Sequence, residues 1–372
     1  MFDEVLLREL AVDRGALKLR ESLFVIATGL SGLLVGRVVD RLGPRRVVQF
    51  GTLLLGGCLL AYAQATAVGT LYLLHALFGL AFCCTHVIVL AVTVTRLMPE
   101  RRGLVMGVLL SATSLGAALM PLLSSYLLQQ LGWRQALLVY AALAAANVLV
   151  AQYAIPAFPP GGAARDAGSG TATVTATASG AGAWRRLVRR DTMMLSLAAF
   201  LIFYTSTTFI HHAFLYLRDN AATVTLAAAG VSLLFISGLV GKVGSGWVAD
   251  RWSTRATWRG FQAAMALGAA CLAFAPGTLG WLGLACFGLG WGGCYALTQV
   301  MATAILAGPQ LGQLMGVFLI VEATGSALGG LLTGVMFDAS GSYRLPFSLA
   351  IGFMLAAMWL TTRVRESPPA PR

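Results

Sequence analysis

The stretch "GRVVDRLGPRR" occupies residues 36–46, and the related stretch "GWVADR" follows 210 residues later, at residues 246–251. Two further pairs keep nearly the same spacing: "GLVMG" (103–107) with "GQLMG" (312–316), and "GWR" (132–134) with "SYR" (342–344). Because the three pairs follow one another in the same order, the chain is predicted to consist of two halves in parallel repeat.

The composition places this repeat in a membrane. Of the 372 residues, 58% are hydrophobic and only 11% are charged, whereas soluble domains carry roughly 25% charged residues. We therefore predict an all-α polytopic membrane protein, in which each span needs about 20 apolar residues. The apolar runs predict eleven transmembrane helices near residues 20–38, 47–66, 70–94, 103–128, 134–154, 192–217, 223–248, 257–275, 279–306, 312–337 and 344–362.

Residues 156–191 separate the fifth predicted helix from the sixth. They begin with "PAFPPGGAARDAGSGTATVTATASGAGA" (156–183), which is rich in Gly, Ala, Ser and Thr and lacks an apolar period. Such a composition is typical of a flexible linker. It divides the chain into an N-terminal bundle of five helices, residues 1–155, and a C-terminal bundle of six, residues 192–372.

The basic residues predict the orientation, because cytoplasmic loops of membrane proteins carry an excess of Lys and Arg. Eighteen arginines fall in the "DRLGPRR" loop, the linker, the C-terminus and the other loops on that side, against three in the opposite loops. The linker and the C-terminus are therefore predicted to be cytoplasmic, in an inner or plasma membrane. The net charge of +12 follows from this bias and does not indicate nucleic-acid binding.

Four basic residues near the N-terminus lie on the side predicted to be external: Arg8, Arg14, Lys18 and Arg20. This placement runs against the positive-inside rule. We expect the neighbouring acidic residues to neutralise them locally; these are Asp3, Glu4, Glu9, Asp13 and Glu21.

The stretch 36–46 resembles the signature loop of the major facilitator superfamily, Gly-x-x-x-Asp-Arg-x-Gly-x-Arg-Arg. The resemblance implies the major facilitator fold, with two bundles that rock around a site near the middle of the membrane. Gly36 would allow close helix approach, and Asp40 would pair with arginines at the membrane edge in one gating state. The implied gating residues are Gly36, Asp40, Arg41, Gly43, Arg45 and Arg46, with Gly246, Asp250 and Arg251 in the second copy.

A narrower resemblance, to the monocarboxylate-transporter-like branch, is carried by residues 210–251 and 329–347. Residues 2–22 resemble the loop that follows the first helix of the family, so the eleven predicted spans correspond to family helices 2 to 12. We expect a start site upstream of Met1 and, in the chain as given, a cleft in the N-terminal bundle. Two positions depart from the pattern: Lys242 stands where the branch usually has arginine, and Gly238 where it often has an acidic or amide residue.

Two charged residues, Lys242 and Glu322, fall well inside predicted spans rather than at their ends. Lys242 precedes Asp250 by eight residues, which places its backbone about 12 Å from the cytoplasmic edge. Glu322 lies about 15 Å into its span, near the midplane. Intramembrane charges are costly and commonly functional, so we predict that Lys242 binds an anionic substrate and that Glu322 carries a proton. The alternatives are a snorkelling lysine and a structural hydrogen-bonding acid.

Four further residues are candidates for binding substrate. His86 and Tyr295 occupy equivalent places in the two repeats, 209 residues apart, and Trp291 precedes Tyr295 by one helical turn. His212 matches a histidine that recurs in the branch. For each of them, hydrogen bonding between helices or ordinary packing is the alternative.

The predicted function is secondary active transport of a small organic anion, a monocarboxylate that moves with a proton by alternating access. Two alternatives stay open: a transporter of a neutral or drug-like solute, and a truncated membrane protein that does not transport. Hydrolase, kinase and dinucleotide-binding patterns are missing from the loops, so the sequence does not predict an enzyme, and no cofactor or metal is expected. The expected partners are the substrate anion, the proton and the lipid bilayer.

Overall fold

The fold was examined in a computed structural model that describes residues 2–85, 89, 102–155, 187–220, 222–249, 251–275, 277–306 and 311–364. These residues form thirteen α-helices. The first six are α1 (Asp3–Leu10), α2 (Arg14–Leu42), α3 (Pro44–Ala63), α4 (Val68–Thr85), α5 (Arg102–Leu131) and α6 (Trp133–Ala154). The others are α7 (Arg190–Ile210), α8 (Ala213–Asp219), α9 (Val224–Ala249), α10 (Thr254–Phe274), α11 (Thr278–Ile305), α12 (Leu311–Ser340) and α13 (Arg344–Arg363).

Eleven of the described helices have at least 18 residues, and α1 and α8 are short. Within the described part of the chain, seven helices are both long and apolar enough to cross a membrane: α3, α4, α6, α7, α9, α13 and the part of α12 from Val317 to Ser340. The all-helical membrane architecture is confirmed, whereas the number of eleven spans stays a prediction. The two short helices were not predicted from the sequence.

The helix predicted over residues 192–217 is interrupted in the structure. α7 ends at Ile210 and α8 begins at Ala213, with a two-residue turn at His211 and His212 between them. The His212 ring is fully buried, with Nε2 2.9 Å from the carbonyl oxygen of Gly330 and Nδ1 3.2 Å from the Tyr343 hydroxyl. The turn therefore coincides with polar contacts that a continuous apolar pattern does not reveal.

The chain divides into two compact units, residues 1–170 and 171–372. The division falls inside the segment predicted as a linker, of which residues 156–186 lie outside the described part of the chain. The bundle and linker boundaries therefore stay predictions.

The order of elements in unit 1 recurs in unit 2. α1, α2, α3 and α4 begin 210 residues before α8, α9, α10 and α11, respectively. α5 and α12 have 30 residues each and are offset by 209, and α6 begins 211 residues before α13. Among the described helices of unit 2, α7 alone has no counterpart in residues 2–155. These offsets assign the residues of the unit 1 helices to equivalent positions in unit 2.

The connections between long helices repeat as well. Gly132 links α5 to α6 with φ 78°, and Gly341 follows α12 with φ 67°. Both values lie in the left-handed region, which glycine adopts without steric cost. The paired glycines therefore allow the chain to reverse direction at the same place in both units.

In unit 2, glycines allow α11 to approach α9 and α10 closely. A Cβ atom added at Gly292 would collide with the backbone of Gly238 in α9, and one added at Gly290 would collide with the backbone of Met265 in α10. Small residues commonly permit such backbone contact between membrane helices. The close approach fixes the rotation of α11 and so determines which of its side chains face α9.

α12 packs on α7 by the same means. A Cβ atom at Gly325 would lie 2.5 Å from the carbonyl oxygen of Phe200, and Thr207 Oγ1 donates a 2.7 Å hydrogen bond to the carbonyl oxygen of Ser326. The equivalent of Gly325 in unit 1 is Gly116, on α5, and no described residue lies within 4 Å of its Cβ position. The two 30-residue helices thus have different surroundings, and the expected cleft in unit 1 stays a prediction.

α1 contributes to one of the two apolar clusters described in unit 1. Buried Leu6 of α1 packs in one apolar cluster with Leu17 of α2, Tyr62 of α3, Leu71 of α4 and Trp133 of α6. An eight-residue helix is marginal by itself, so these tertiary contacts stabilise α1. It therefore belongs to the folded unit and joins the ends of four longer helices.

Candidate functional site

One face of α11 carries three non-aliphatic side chains at successive turns: Trp291, Tyr295 and Gln299. Residues four apart lie on the same face of a helix. Lys242 of α9 extends its amine between the first two, with Nζ 5.0 Å from the centre of the Trp291 ring and 5.2 Å from that of Tyr295. Both distances are within the range of cation–π attraction. The predicted substrate-binding residues Lys242, Trp291 and Tyr295 are therefore neighbours.

Each of the two rings packs against a further aromatic residue. Phe235 of α9 meets Trp291 edge-on, with ring centres 5.6 Å apart, and Phe203 of α7 meets Tyr295 at 5.9 Å. Gly238 provides the space for Trp291, because a Cβ atom there would lie 2.7 Å from Trp291 Cε3. The departure from the branch pattern at Gly238 therefore has a local steric reason.

Glu322 of α12 is linked to the same face of α11 through Gln299. Its side chain is buried, with the residue 4% exposed. Gln299 Nε2 donates to both carboxylate oxygens, at 2.8 Å to Oε1 and 3.1 Å to Oε2. Gln299 was not among the predicted site residues, although an amide inside an apolar span, one turn after Tyr295, is a visible signal.

We refer to Lys242, Trp291, Tyr295, Gln299 and Glu322 as the α11 face. Its cation lies against two aromatic rings, and its carboxylate accepts hydrogen bonds from a neutral amide. A bound anion at the amine, or a proton at the carboxylate, would compete with these ring and amide contacts. The α11 face thus offers a cation, an apolar surface and a proton acceptor within one unit.

The two predicted histidines lie elsewhere. Both ring nitrogens of His212 face polar atoms of α12 and of Tyr343, an arrangement that suits a link between helices. His86 lies outside the described residues. The assignment of either residue to substrate binding stays a prediction.

Unit 1 contains a different group of charges, which we call the α1 cluster: Asp3, Lys18, Arg20 and Glu21. Lys18 Nζ lies 2.8 Å from Asp3 Oδ2 and 2.7 Å from Glu21 Oε1, although Lys18 is only 1% exposed. Arg20 also pairs with Asp3 and donates a 2.6 Å hydrogen bond to the Tyr62 hydroxyl. The predicted local neutralisation of Lys18 and Arg20 is therefore seen in the structure.

Two acidic residues of α1 have altered proton affinities. Burial disfavours the ionised form of Asp3, but Lys18 and Arg20 outweigh it and hold its pKa below the ordinary value. Glu9 accepts hydrogen bonds of 2.8 Å from Trp133 Nε1 and from Arg134 Nη1. The bond from Trp133, followed by Arg134, lowers the pKa of Glu9. Both carboxylates are thus held in the ionised state that fastens α1 to the bundle.

Comparison with known proteins identifies the family. The family model described as Major Facilitator Superfamily matches residues 1–308.

The chain belongs to the major facilitator superfamily.

Within the superfamily the chain is monocarboxylate-transporter-like. It is 29% identical to Monocarboxylate transporter 13 of Rattus norvegicus over 339 residues, which cover 85% of this chain and 72% of that protein. It is 30% identical to Monocarboxylate transporter 13 of Bos taurus over 362 residues, which cover 89% and 76%, respectively. These matches indicate a transporter rather than an enzyme.

Solved structures share the fold at low sequence identity. The D323A mutant of the nucleoside transporter NupG has a TM-score of 0.78 at 16% identity, covering 97% of this chain and 93% of that one. A bacterial homologue of the human lysosomal transporter Spinster, in an inward-facing and unoccupied conformation, has a TM-score of 0.80 at 14% identity, covering 99% and 94%. Both support the fold of the superfamily.

The gating motif of the superfamily is partly described. Gly43 separates α2 from α3, and Arg41 and Arg46 are exposed on either side of it. In the second copy, the Arg251 guanidinium lies 3.8 Å from the centre of the Trp247 ring, and Nη1 donates to the carbonyl oxygen of Trp247. Asp250 and the side-chain placement of Asp40 lie outside the described part of the chain. The gating role of the motif therefore stays a prediction.

Proposed function

We propose that this member of the superfamily transports a small organic anion, a monocarboxylate, together with a proton by alternating access. The α11 face supports the proposal, because it combines one cation with one carboxylate inside apolar helices. The similarity to proteins named Monocarboxylate transporter 13 supports the same substrate class. The carboxylate of the substrate would bind Lys242, and Glu322 would carry the proton.

The observation that carries the proposal is the contact of Lys242 with two aromatic rings of α11 and of Glu322 with an amide of the same helix. The Lys242 amine lies against the rings of Trp291 and Tyr295, and Glu322 is held by the Gln299 amide. A buried ion pair is costly to break, whereas a cation–π contact is worth about 0.5–2 kcal/mol. The attraction to the two rings that a substrate carboxylate would have to replace is therefore modest.

Replacement of Lys242 tests the anion site. Lys242→Ala should abolish anion uptake and counterflow in proteoliposomes, while the variant inserts and unfolds like the parent. Lys242→Arg should retain binding, because arginine keeps the charge, and it should alter the pH dependence of uptake, because arginine does not release its proton. Val243→Ala, an exposed position next in the helix, is the matched control. Full transport by Lys242→Ala would refute the anion site and favour the neutral-solute alternative.

Replacement of Glu322 tests the coupling. Glu322→Gln keeps the size of the side chain but cannot carry the proton, so exchange of anion for anion should persist while proton-driven accumulation is lost. The measurements are counterflow and net uptake with an imposed pH gradient in the same liposomes. Thr324→Val, at an exposed position of α12, is the control. Undiminished accumulation by Glu322→Gln would exclude Glu322 as the proton carrier.

We also propose that the linker and the C-terminus face the cytoplasm, as the distribution of arginines predicts. A single cysteine introduced at Gly170, in a chain whose six native cysteines have been replaced by serine or alanine, should react with a membrane-impermeant reagent only after the cells are opened. Labelling of intact cells would contradict this orientation.

A further inference from the structure

The surroundings of Lys242 carry information on the body of the substrate as well as its charge. Tyr295 is 42% exposed although its ring touches the Lys242 amine on α9 and Phe203 on α7. Trp291 is only partly buried beside it. An aromatic surface next to a cation can receive two parts of one molecule: a carboxylate at the amine and an apolar group on the ring.

Binding of a carboxylate must change the contact between Lys242 and the rings. As the amine turns toward the carboxylate, it gives up part of its attraction to Trp291 and Tyr295. An aromatic ring on the substrate can replace the amine on the vacated face by offset or edge-to-face packing. A short aliphatic acid has no ring to place on this face, so the lost attraction between the amine and the rings is not compensated.

We infer that the preferred substrate is an aryl-bearing monocarboxylate, whose carboxylate binds Lys242 while its aromatic ring packs on Tyr295 and Trp291. This inference rests on the proposed anion site and names the class of anion. Phe203 and Phe235 are positioning residues in this arrangement, because they pack against Tyr295 and Trp291, respectively.

Three matched acids test the inference: lactate, 3-phenyllactate and 3-cyclohexyllactate. The last two have bodies of similar size and differ in aromaticity. We expect the parent protein to bind and take up 3-phenyllactate about tenfold better than either of the others, which corresponds to about 1.4 kcal/mol. Equilibrium binding to the purified full chain and uptake by proteoliposomes are measured in parallel.

Variants separate a specific role of the ring from a structural one. Tyr295→Leu should lose the preference for the aryl acid while it still binds lactate, and Tyr295→Phe should retain the preference. Trp359→Leu is the control, because Trp359 also lies under a cation, at 5.0 Å from the Arg363 guanidinium, but on α13. This variant should behave like the parent.

The outcomes distinguish the inference from the proposed function. Equal binding of the three acids by the parent, or an unchanged preference in Tyr295→Leu, would overturn the inference and leave anion transport standing. Selective binding of 3-phenyllactate without uptake would support the inference and contradict the transport proposal.

Discussion

The α1 cluster and the charges of the α11 face lie at non-equivalent places in the two units. The α1 cluster of unit 1 occupies positions whose equivalents in unit 2 are apolar or glycine. Asp3, Lys18, Arg20 and Glu21 correspond to Ala213, Ala228, Gly230 and Val231. Conversely, Lys242 and Glu322 of unit 2 correspond to Gly32 and Thr113 of unit 1. The repeat has therefore preserved the helices, whereas the charges of these two groups belong to one unit each.

The manner in which the charges are held also differs. In the α1 cluster two cations and two carboxylates contact each other directly. On the α11 face the amine meets rings and the carboxylate meets an amide. Direct pairing of charges suits a permanent contact between helices. Contacts of a cation with aromatic rings and of a carboxylate with an amide suit a site that exchanges ligands. The residues that a charged side chain contacts are therefore more informative about its role than the number of such charges.

The largest expected effect is the loss of one member of the α1 cluster. Asp3→Asn removes the carboxylate between Lys18 and Arg20, and a buried pair broken on one side typically costs about 3–5 kcal/mol. We expect unit 1 to be destabilised by that amount, measured as the shift in the denaturant midpoint of the purified chain in detergent.

The equivalent residues of unit 2 supply the control. The quadruple variant Asp3→Ala, Lys18→Ala, Arg20→Gly and Glu21→Val installs the residues of unit 2, and apolar replacement of a whole buried ion cluster is often nearly neutral. It should be more stable than Asp3→Asn. If the quadruple variant is the less stable of the two, the α1 cluster contributes net stability and the contrast between the units fails.

A smaller effect is expected from substitution of two glycines at equivalent positions, Gly325 of α12 and Gly116 of α5. Gly325→Leu places a side chain against the backbone of Phe200, and such overpacking costs about 1–3 kcal/mol. Gly116→Leu meets no described residue within 4 Å, so its cost should stay within about 0.5 kcal/mol. Both substitutions gain the same helix propensity, so the difference in unfolding free energy isolates the packing. An equal loss would mean that the α5 face is covered in the protein as α12 is.

The smallest effect concerns the contact of Glu9 with Trp133 and Arg134. The pKa of Glu9 is lowered, so the stability it contributes is present above the ordinary value of about 4.3 and is lost as the pH falls through the folded value. Because the side chains of Glu9 and Arg134 are both exposed, that contribution should not exceed about 1 kcal/mol. Glu9→Gln should lower the melting temperature at pH 7 but not at pH 3. Asp219→Asn, at the equivalent position of unit 2, is the control. A lower melting temperature of Glu9→Gln that persists at pH 3 would contradict the ionic explanation.

Much of the α11 face could be predicted from the sequence, because Trp291 and Tyr295 are one turn apart and Lys242 is a rare charge in an apolar run. The contact between Gln299 and Glu322 could not, since it depends on the register between α11 and α12, which is set by packing. α1 was missed for a different reason. It is eight residues long and rich in charge, so neither an apolar run nor a long helical period marks it, and it is stabilised by tertiary contacts.

Gly238 has a consequence for the history of the family branch. Relatives that carry an acidic or amide side chain at the equivalent position have no room for a tryptophan placed as Trp291 is, since even a Cβ atom would lie 2.7 Å from its ring. The two positions should therefore covary across homologues: a bulky aromatic at 291 with glycine at 238, and a smaller residue at 291 with a polar side chain at 238. A lineage that crosses from one state to the other would have to exchange both residues.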